Sequence, residues 1–216
     1  MVRRSFFRCF DKINHEEVNM HQKLSSMTDD ELYNRYLKGE APAGDELMLR
    51  YADMLTAYLY GYLKDYQEAE DLMLDAFAVI LVDRPGIRPG GFRAYLFRVA
   101  RNAAYHFNRR KFRQSEFCVS DEVLTEYGKF MDESAVQTPE KRVLLEEQAA
   151  MVQKCLDRIP PQYAEALWLV YGAGLSYEQA AAACNCSKKK MSNLLANGKK
   201  SMKTQLEKEG IIYRDI

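Results

Sequence analysis

Between Lys188 and Lys208 the chain carries seven lysines and a single acid, Glu207. Three of the lysines, Lys188-Lys189-Lys190, stand directly after Ser187, a residue that favours the first position of a helix. A helix start is already the positive end of its dipole, so three ammonium groups there are mildly unfavourable in water alone. An anionic partner reverses that sign, and nucleic-acid phosphate is the natural one. A second basic segment runs from Arg84 to Gln114, with nine Lys or Arg and no acid. Within it Arg98, Arg101, Tyr105, Asn108 and Arg109 fall on one helical face. Bases interleaved with an aromatic are the chemistry that holds a phosphate backbone while stacking on an unpaired base. Taken singly, either segment also describes an ordinary solvated helix face. Between them, Glu116 to Glu147 holds nine acids against three bases, so the net charge of zero is a sum of opposed segments. Two basic segments with an acidic one between them imply two separate polyanion contacts.

Other chemistries are poorly served. The five cysteines (Cys9, Cys118, Cys155, Cys184, Cys186) are odd in number and irregular in spacing, unlike a disulfide framework. Cys184-Asn185-Cys186 has one intervening residue where structural zinc sites use two to four, and no second Cys/His pair lies nearby. His15, His21 and His106 are scattered. No nucleophile, base and oxyanion set, no phosphate-binding glycine loop and no metal spacing is present, so neither catalytic residues, cofactor, metal nor small-molecule substrate is expected. No window approaches the roughly 18 apolar residues of a membrane span, and the basic start lacks the long apolar stretch of a leader. A cytoplasmic protein without membrane insertion is expected.

The elements that must position these residues are helices. Thr28-Asp29-Asp30-Glu31 is an N-cap followed by first-turn acids and predicts a helix ending near Gly39. Leu47, Tyr51, Met54, Tyr58 and Tyr62 recur at helical spacing, and Ala69, Leu72, Met73, Ala76, Phe77 and Ile80 form the stripe of a third helix, leaving Glu70, Asp71 and Asp75 on other faces. Arg84-Pro85-Gly86 stops that helix. A fourth, from Phe92 to near Arg113, places Phe92, Leu96, Val99, Ala100, Ala103 and Phe107 within one apolar arc of roughly 100°. Residues 115–139 lose the period and gain acid, as a linker does. Leu145, Ala149, Val152, Leu156 and Ile159 begin another helix, closed by Pro160-Pro161, and Ala164, Leu167, Trp168 and Tyr171 form the next stripe. The expected fold is all-α: an N-terminal extension over 1–27, a helical domain over 28–114, the acidic linker over 115–139 and a second helical domain over 140–210.

The second domain carries the sharpest local signal. Ser176-Tyr177-Glu178-Gln179 is a capping box opening a short helix to Ala183. Cys184-Asn185-Cys186 then turns the chain, with Asn185 suited to the left-handed conformation, and Ser187 caps a longer helix. Short helix, three-residue turn and longer polar-faced helix make a helix-turn-helix, whose second helix enters the major groove by its N-terminal end.

With these motifs in place the chain resembles the extracytoplasmic-function sigma factors of the sigma-70 family. Glu68-Ala69-Glu70-Asp71-Leu72-Met73-Leu74-Asp75-Ala76-Phe77 is similar to the core-polymerase-binding motif of their region 2, and Phe92-Arg93-Ala94-Tyr95-Leu96-Phe97-Arg98-Val99-Ala100-Arg101-Asn102 to their promoter-melting helix. Ile159-Pro160-Pro161-Gln162 and Gly174-Leu175-Ser176-Tyr177-Glu178-Gln179-Ala180 match the opening of region 4. The resemblance implies a transcription initiation factor that acts without covalent chemistry. Glu70, Asp71, Leu74 and Asp75 would dock on the polymerase clamp. Arg98, Arg101, Asn102, Tyr105 and Arg109, with the loop Ile87 to Gly91, would hold the single strand of the -10 element. Lys188, Lys189, Lys190, Lys199, Lys200 and Lys203 would meet phosphates of the -35 duplex, and region 4 would also touch the polymerase flap. Core RNA polymerase, promoter DNA and an anti-sigma factor are the implied partners.

The sequence departs from the family where bases should be read. Ser192, Leu194 and Asn197 stand where Arg or Lys is usual, Gly198 where Ala is, and Leu81 and Tyr95 where Trp is common. Base reading would then fall to Ser192, Asn193 and Asn197, asparagine being suited to adenine through two hydrogen bonds. Two other readings stay open at this point: a stand-alone helix-turn-helix regulator, and a sigma-fold interaction protein with weakened promoter binding.

Overall fold

A computed structural model describes residues 22–114 and 149–210, and among them every regular element is a helix. The expected linker over 115–139, the start of the following helix at Leu145 and residues 1–21 lie outside the described residues.

Helix α1 (Asp29–Leu37) opens on the expected cap: the Thr28 side chain accepts from the Glu31 N–H while the Glu31 carboxylate accepts from the Thr28 N–H at 2.8 Å. Just before it, Leu24 is buried in the core, so the described end of the N-terminal segment packs with the domain. Helix α2 (Ala41–Leu63) is the central rod, burying Leu47, Tyr51, Leu55, Tyr58 and Leu59. Helix α3 (Tyr66–Asp83) starts at Asp65, whose carboxylate accepts from the Glu68 N–H at 3.0 Å. The six residues it buries are the six of the predicted stripe, Ala69 to Ile80. Helix α4 (Phe92–Gln114) completes this unit.

The second unit begins with α5, described over 149–157. Pro161 opens α6 (Pro161–Leu167), as suits a residue with no N–H to leave unsatisfied. A π-helical turn, Trp168–Gly172, extends it, closed by the Ala173 N–H donating to Trp168 O at 2.8 Å. Helices α7 (Tyr177–Ala183) and α8 (Lys188–Lys208) follow.

Three sequence expectations are corrected. The apolar arc of α4 is wider than predicted, because Phe97 and Ala104 are completely buried on a second side. That side carries α7, so α4 packs between α2 and α3 on one flank and the second unit on the other. Phe97 alone gains about 1.5–3 kcal/mol from that burial. Tyr171 belongs to no buried stripe: it is 57% exposed. The π turn inserts an extra residue per turn and carries it off the helical register, leaving its ring under Lys199 Nζ at 5.2 Å. Gly198, finally, is no weakness of a base-reading face. It is buried, and a Cβ there would stand 3.1 Å from Leu167 Cγ and 3.3 Å from the Tyr163 carbonyl oxygen. Its bare backbone lets α8 approach α6 closely, which offsets the helix-propensity cost of glycine.

Gly198→Val forces two further methyl groups into that contact and is expected to lower stability by about 1–3 kcal/mol. A urea titration followed by circular dichroism measures it, and an unchanged midpoint would show that the helices can separate without loss.

Candidate nucleic-acid interface

The helix-turn-helix forms as its caps dictate. Ser176 accepts from the Gln179 N–H at 3.2 Å, and the Gln179 side chain accepts from the Ser176 N–H at 2.9 Å. Asn185 takes φ +51°, the left-handed turn, and Ser187 caps α8 by accepting from the Lys190 N–H at 3.2 Å. Met191, Leu195 and Gly198 face inward and Leu194 packs against the core edge. The opposite face presents Ser192, Asn193 and Asn197, all exposed, with Lys189, Lys190, Lys199, Lys200 and Lys203 exposed around them. Of the three lysines at the helix start, Lys188 has an internal anion in the Glu178 carboxylate one helix back. The predicted duplex-reading residues are therefore brought to one surface, and the departures Leu194 and Gly198 lie on its packed side.

The predicted single-strand residues divide into two groups. Arg98, Asn102 and Arg109 are exposed along the outer side of α4, and the Arg98 guanidinium stacks on Tyr95 at 5.1 Å from its ring centre. Sequence reasoning gave Tyr95 no role in the site; its spacing of three residues from Arg98 was the available signal. Arg101 turns the other way. Its Nε donates to Glu165 Oε1 at 2.5 Å and one terminal nitrogen to Glu165 Oε2 at 3.4 Å. Both side chains are shielded, at 20% and 9% exposed. Tyr58 also donates to Glu165 Oε1, at 3.1 Å, and Tyr105 stands half-exposed beside Arg101 at 3.3 Å. Burial works to weaken the Arg101 proton affinity, but the Glu165 hydrogen bonds and charge outweigh it and hold the guanidinium charged. Burial raises the Tyr58, Tyr62 and Tyr105 hydroxyls above their ordinary range, with Glu165 adding to each. These phenols stay neutral donors at any physiological pH.

The loop before α4 is held from both units. The Gly90 N–H donates to the Asp30 carboxylate, and the Gly90 carbonyl accepts from Gln179 Nε2 at 3.1 Å. Arg93 reaches across as well, donating from Nε to the Tyr51 hydroxyl at 2.9 Å and from a terminal nitrogen to Gly174 O at 3.3 Å.

On the far side of the first unit, α3 exposes Asp71, Leu74 and Asp75, with Glu70 half-buried beside them. Val79 and Val82 extend the same outer surface, 41% and 77% exposed. They were not among the predicted site residues, although Leu74, Ala78 and Val82 at steps of four form a second apolar line opposite the buried one. Large apolar groups set among carboxylates on an otherwise well-packed helix mark a docking surface more than a solvated face.

Among the described residues no group of three His, Cys, Asp or Glu is placed to hold a metal ion, and no helix is long and apolar enough to cross a membrane.

A basic helix-turn-helix behind a second helical unit defines a DNA-binding protein of two modules. Residues 47–114 match the family Sigma-70 region 2, and residues 149–202 match Sigma-70, region 4. The chain belongs to the sigma-70 family of RNA polymerase sigma factors, in its extracytoplasmic-function branch. Members of this family direct RNA polymerase to promoters as non-enzymatic transcription factors. The RNA polymerase sigma-H factor of Pseudomonas aeruginosa is 28% identical over 169 residues, 76% of this chain and 86% of that protein. The extracytoplasmic-function sigma factor SigM of Bacillus subtilis is 26% identical over 159 residues, 74% of this chain and 92% of that one. Two solved structures share the fold with a TM-score of 0.58. CnrH in complex with the cytosolic domain of CnrY is 18% identical, covering 83% of this chain and 97% of that one. RpoE in complex with the anti-sigma factor NepR, from Bartonella quintana, is 21% identical, covering 76% and 96%.

Cys184 lies against the Glu165 carboxylate. Burial, with the Glu165 charge adding to it, pushes its thiol up to about 12. At pH 8 only about one part in ten thousand is thiolate, the form that reacts. Iodoacetamide at pH 8 is expected to modify Cys184 far more slowly in the native chain than in urea, read by mass spectrometry of the peptides. Equal rates would mean that the thiol is open to solvent.

Proposed function

We propose that the chain divides promoter recognition between its two basic surfaces and polymerase binding onto α3. Asp71, Leu74 and Asp75, with Glu70 at their margin, form the face that meets the polymerase clamp. Arg98, Asn102 and Arg109, joined by Arg101 and Tyr105 and by the loop from Ile87 to Gly91, hold the unpaired strand of the -10 element. A flipped base costs a few kcal/mol to extrude, and stacking at about 1–3 kcal/mol per base with the arginine contacts offsets it. Tyr95, already stacked with Arg98, extends that platform.

In the second unit Ser192, Asn193 and Asn197 read bases of the -35 element, and Lys188, Lys189, Lys190, Lys199, Lys200 and Lys203 fix the helix on the backbone. Phosphate contacts set position while the uncharged groups set sequence. The inward position of Leu194 and Gly198 supports this reading over a sigma fold that has lost its promoter surface. The match to region 2 over 47–114 disfavours a stand-alone duplex-binding regulator, which would leave that unit without a task. Region 4 would touch the polymerase flap as well. An anti-sigma factor is a fitting further partner, since both fold relatives named above are complexes and the RpoE partner is described as one. Work on polymerase and DNA alone needs no catalytic group, so the chain acts as a non-enzyme in the cytoplasm.

The observation that supports the proposal is that one chain exposes acidic and apolar side chains on α3 and polar and basic side chains on α8, in separate modules. Asp71→Lys is expected to abolish promoter-dependent transcription by purified core polymerase and to weaken polymerase binding at least tenfold, about 1.4 kcal/mol, without change in the circular dichroism spectrum. Unchanged polymerase affinity would remove α3 from the interface.

A further inference from the structure

The loop assigned to the flipped base, Ile87 to Gly91, has no helix or strand of its own, and Arg88, Pro89 and Gly90 are exposed. Ile87, its one branched apolar side chain, packs only at the core edge. A segment with so little burial opens at small cost unless hydrogen bonds hold it.

Helix α1 supplies those bonds. At the approach to the loop, the Tyr36 hydroxyl donates to Leu81 O and the Tyr33 hydroxyl to Pro85 O, each at 2.8 Å. The Arg84 guanidinium, just past the end of α3, lies over the Tyr36 ring at 5.3 Å. At the tip, the Asp30 carboxylate accepts from the Gly90 N–H. Gly90 takes φ +73°, and the Gly91 N–H closes the turn by donating to Arg88 O at 2.9 Å. At the exit, the Phe92 ring packs on Tyr33 with centres 5.4 Å apart. The Asp29 carboxylate accepts from the Tyr51 hydroxyl, which in turn accepts from Arg93 Nε at 2.9 Å. One short helix thus touches the start, the tip and the end of the loop.

Helix α1 precedes the residues matched to region 2, which begin at Leu47. Its first turn is acidic and ill-suited to meet a phosphate backbone directly. First-turn acids also favour the helix dipole. That task, however, does not require a bond to a peptide 60 residues away.

We propose that Asp30 is a positioning residue for promoter recognition: its carboxylate presets the Gly90 turn, so that the loop meets the flipped base already in its binding shape. Tyr33 holds the start of the same loop. A preformed loop gives up less conformational freedom on binding, and a fixed shape discriminates more sharply between bases. Asp30 touches no nucleotide itself and acts through the Gly90 peptide. The inference rests on the assignment of this loop to the unpaired strand.

The test assembles the full chain with core polymerase as the parent, as Asp30→Ala, which removes the acceptor, and as Asp30→Asn, which loses the charge but keeps an oxygen to accept from Gly90. Gln179 meets the carbonyl of Gly90, so these variants change only the partner of its N–H. Tyr33→Phe keeps the ring and removes the donor to Pro85 O, a second and independent loosening. Strands are selected from a labelled single-stranded DNA pool with a randomised central segment and sequenced, and fluorescence anisotropy measures affinity for the strand the parent selects. Hydrogen exchange of the Gly90 amide, followed by NMR in the free chain, reads the bond itself, and thermal melting by circular dichroism checks the fold.

Asp30→Ala is expected to exchange that amide about tenfold faster, to bind the parent's strand about tenfold more weakly and to lose base preference at one position. Asp30→Asn should stay within about threefold of the parent in exchange and affinity, and Tyr33→Phe should blunt the same base preference. Affinity for core polymerase should not change in any of them. Selection as sharp as the parent's by folded Asp30→Ala or by Tyr33→Phe would overturn the proposal. Asp30→Asn behaving like Asp30→Ala would overturn it too, because first-turn charge and not the bond to Gly90 would then be responsible. A parent complex that selects no base, or whose selection survives Arg98→Ala and Asn102→Ala together, would instead overturn the strand assignment on which the proposal rests.

Discussion

Helix α4 is buried from two sides, and the rest of the molecule is arranged around that constraint. Phe92, Leu96 and Ala100 fill the core with α1, α2 and α3, while Phe97 and Ala104 fill the space toward the second module. A helix packed on both flanks has only a narrow strip left for solvent, and Arg98, Asn102 and Arg109 occupy it. Arg101 cannot share that strip. Its side chain reaches instead to α6, where a guanidinium shielded from water requires an acid. Glu165 supplies it, and losing one partner of so shielded a pair typically costs about 3–5 kcal/mol.

The same contact explains why polar groups accumulate at this seam. Tyr58, Tyr62 and Tyr105 line the pair, each with a hydroxyl that needs a partner when buried. Tyr58 and Arg101 both spend hydrogen bonds on one carboxylate oxygen, and Tyr62 bonds to Tyr58 at 3.2 Å. A seam built this way is specific in geometry and yet separable.

Much of this was legible in the sequence, and the exceptions have physical causes. The stripe of α3 could be read residue by residue because that helix has one buried face. The caps at Thr28, Ser176 and Ser187 fixed three helix starts because each needs only its own side chain and the next turn. Phe97 was missed because a 3.6-residue period reports one buried face, whereas α4 has two. Tyr171 was placed on a stripe that the π turn breaks, and nothing in Trp168-Leu169-Val170-Tyr171-Gly172 announces an extra residue in the turn. Gly198 looked like a defect in the reading face until its neighbour Leu167 was known. Glu165 gave no signal: it is a lone acid between two alanines, and its partner Arg101 is 64 residues away. Long-range pairing of single charges leaves no periodic trace. By contrast the helix-turn-helix was readable, because its two helices and turn are contiguous in the chain.

The account stands on the claim that this two-module chain places RNA polymerase at promoters. The direct measurement is transcription by purified core polymerase on fragmented genomic DNA, with and without the chain, followed by mapping of the transcript starts. Discrete new starts that share sequence elements near -35 and -10 are the predicted result. Transcripts whose number and positions do not depend on the added, folded chain would contradict it.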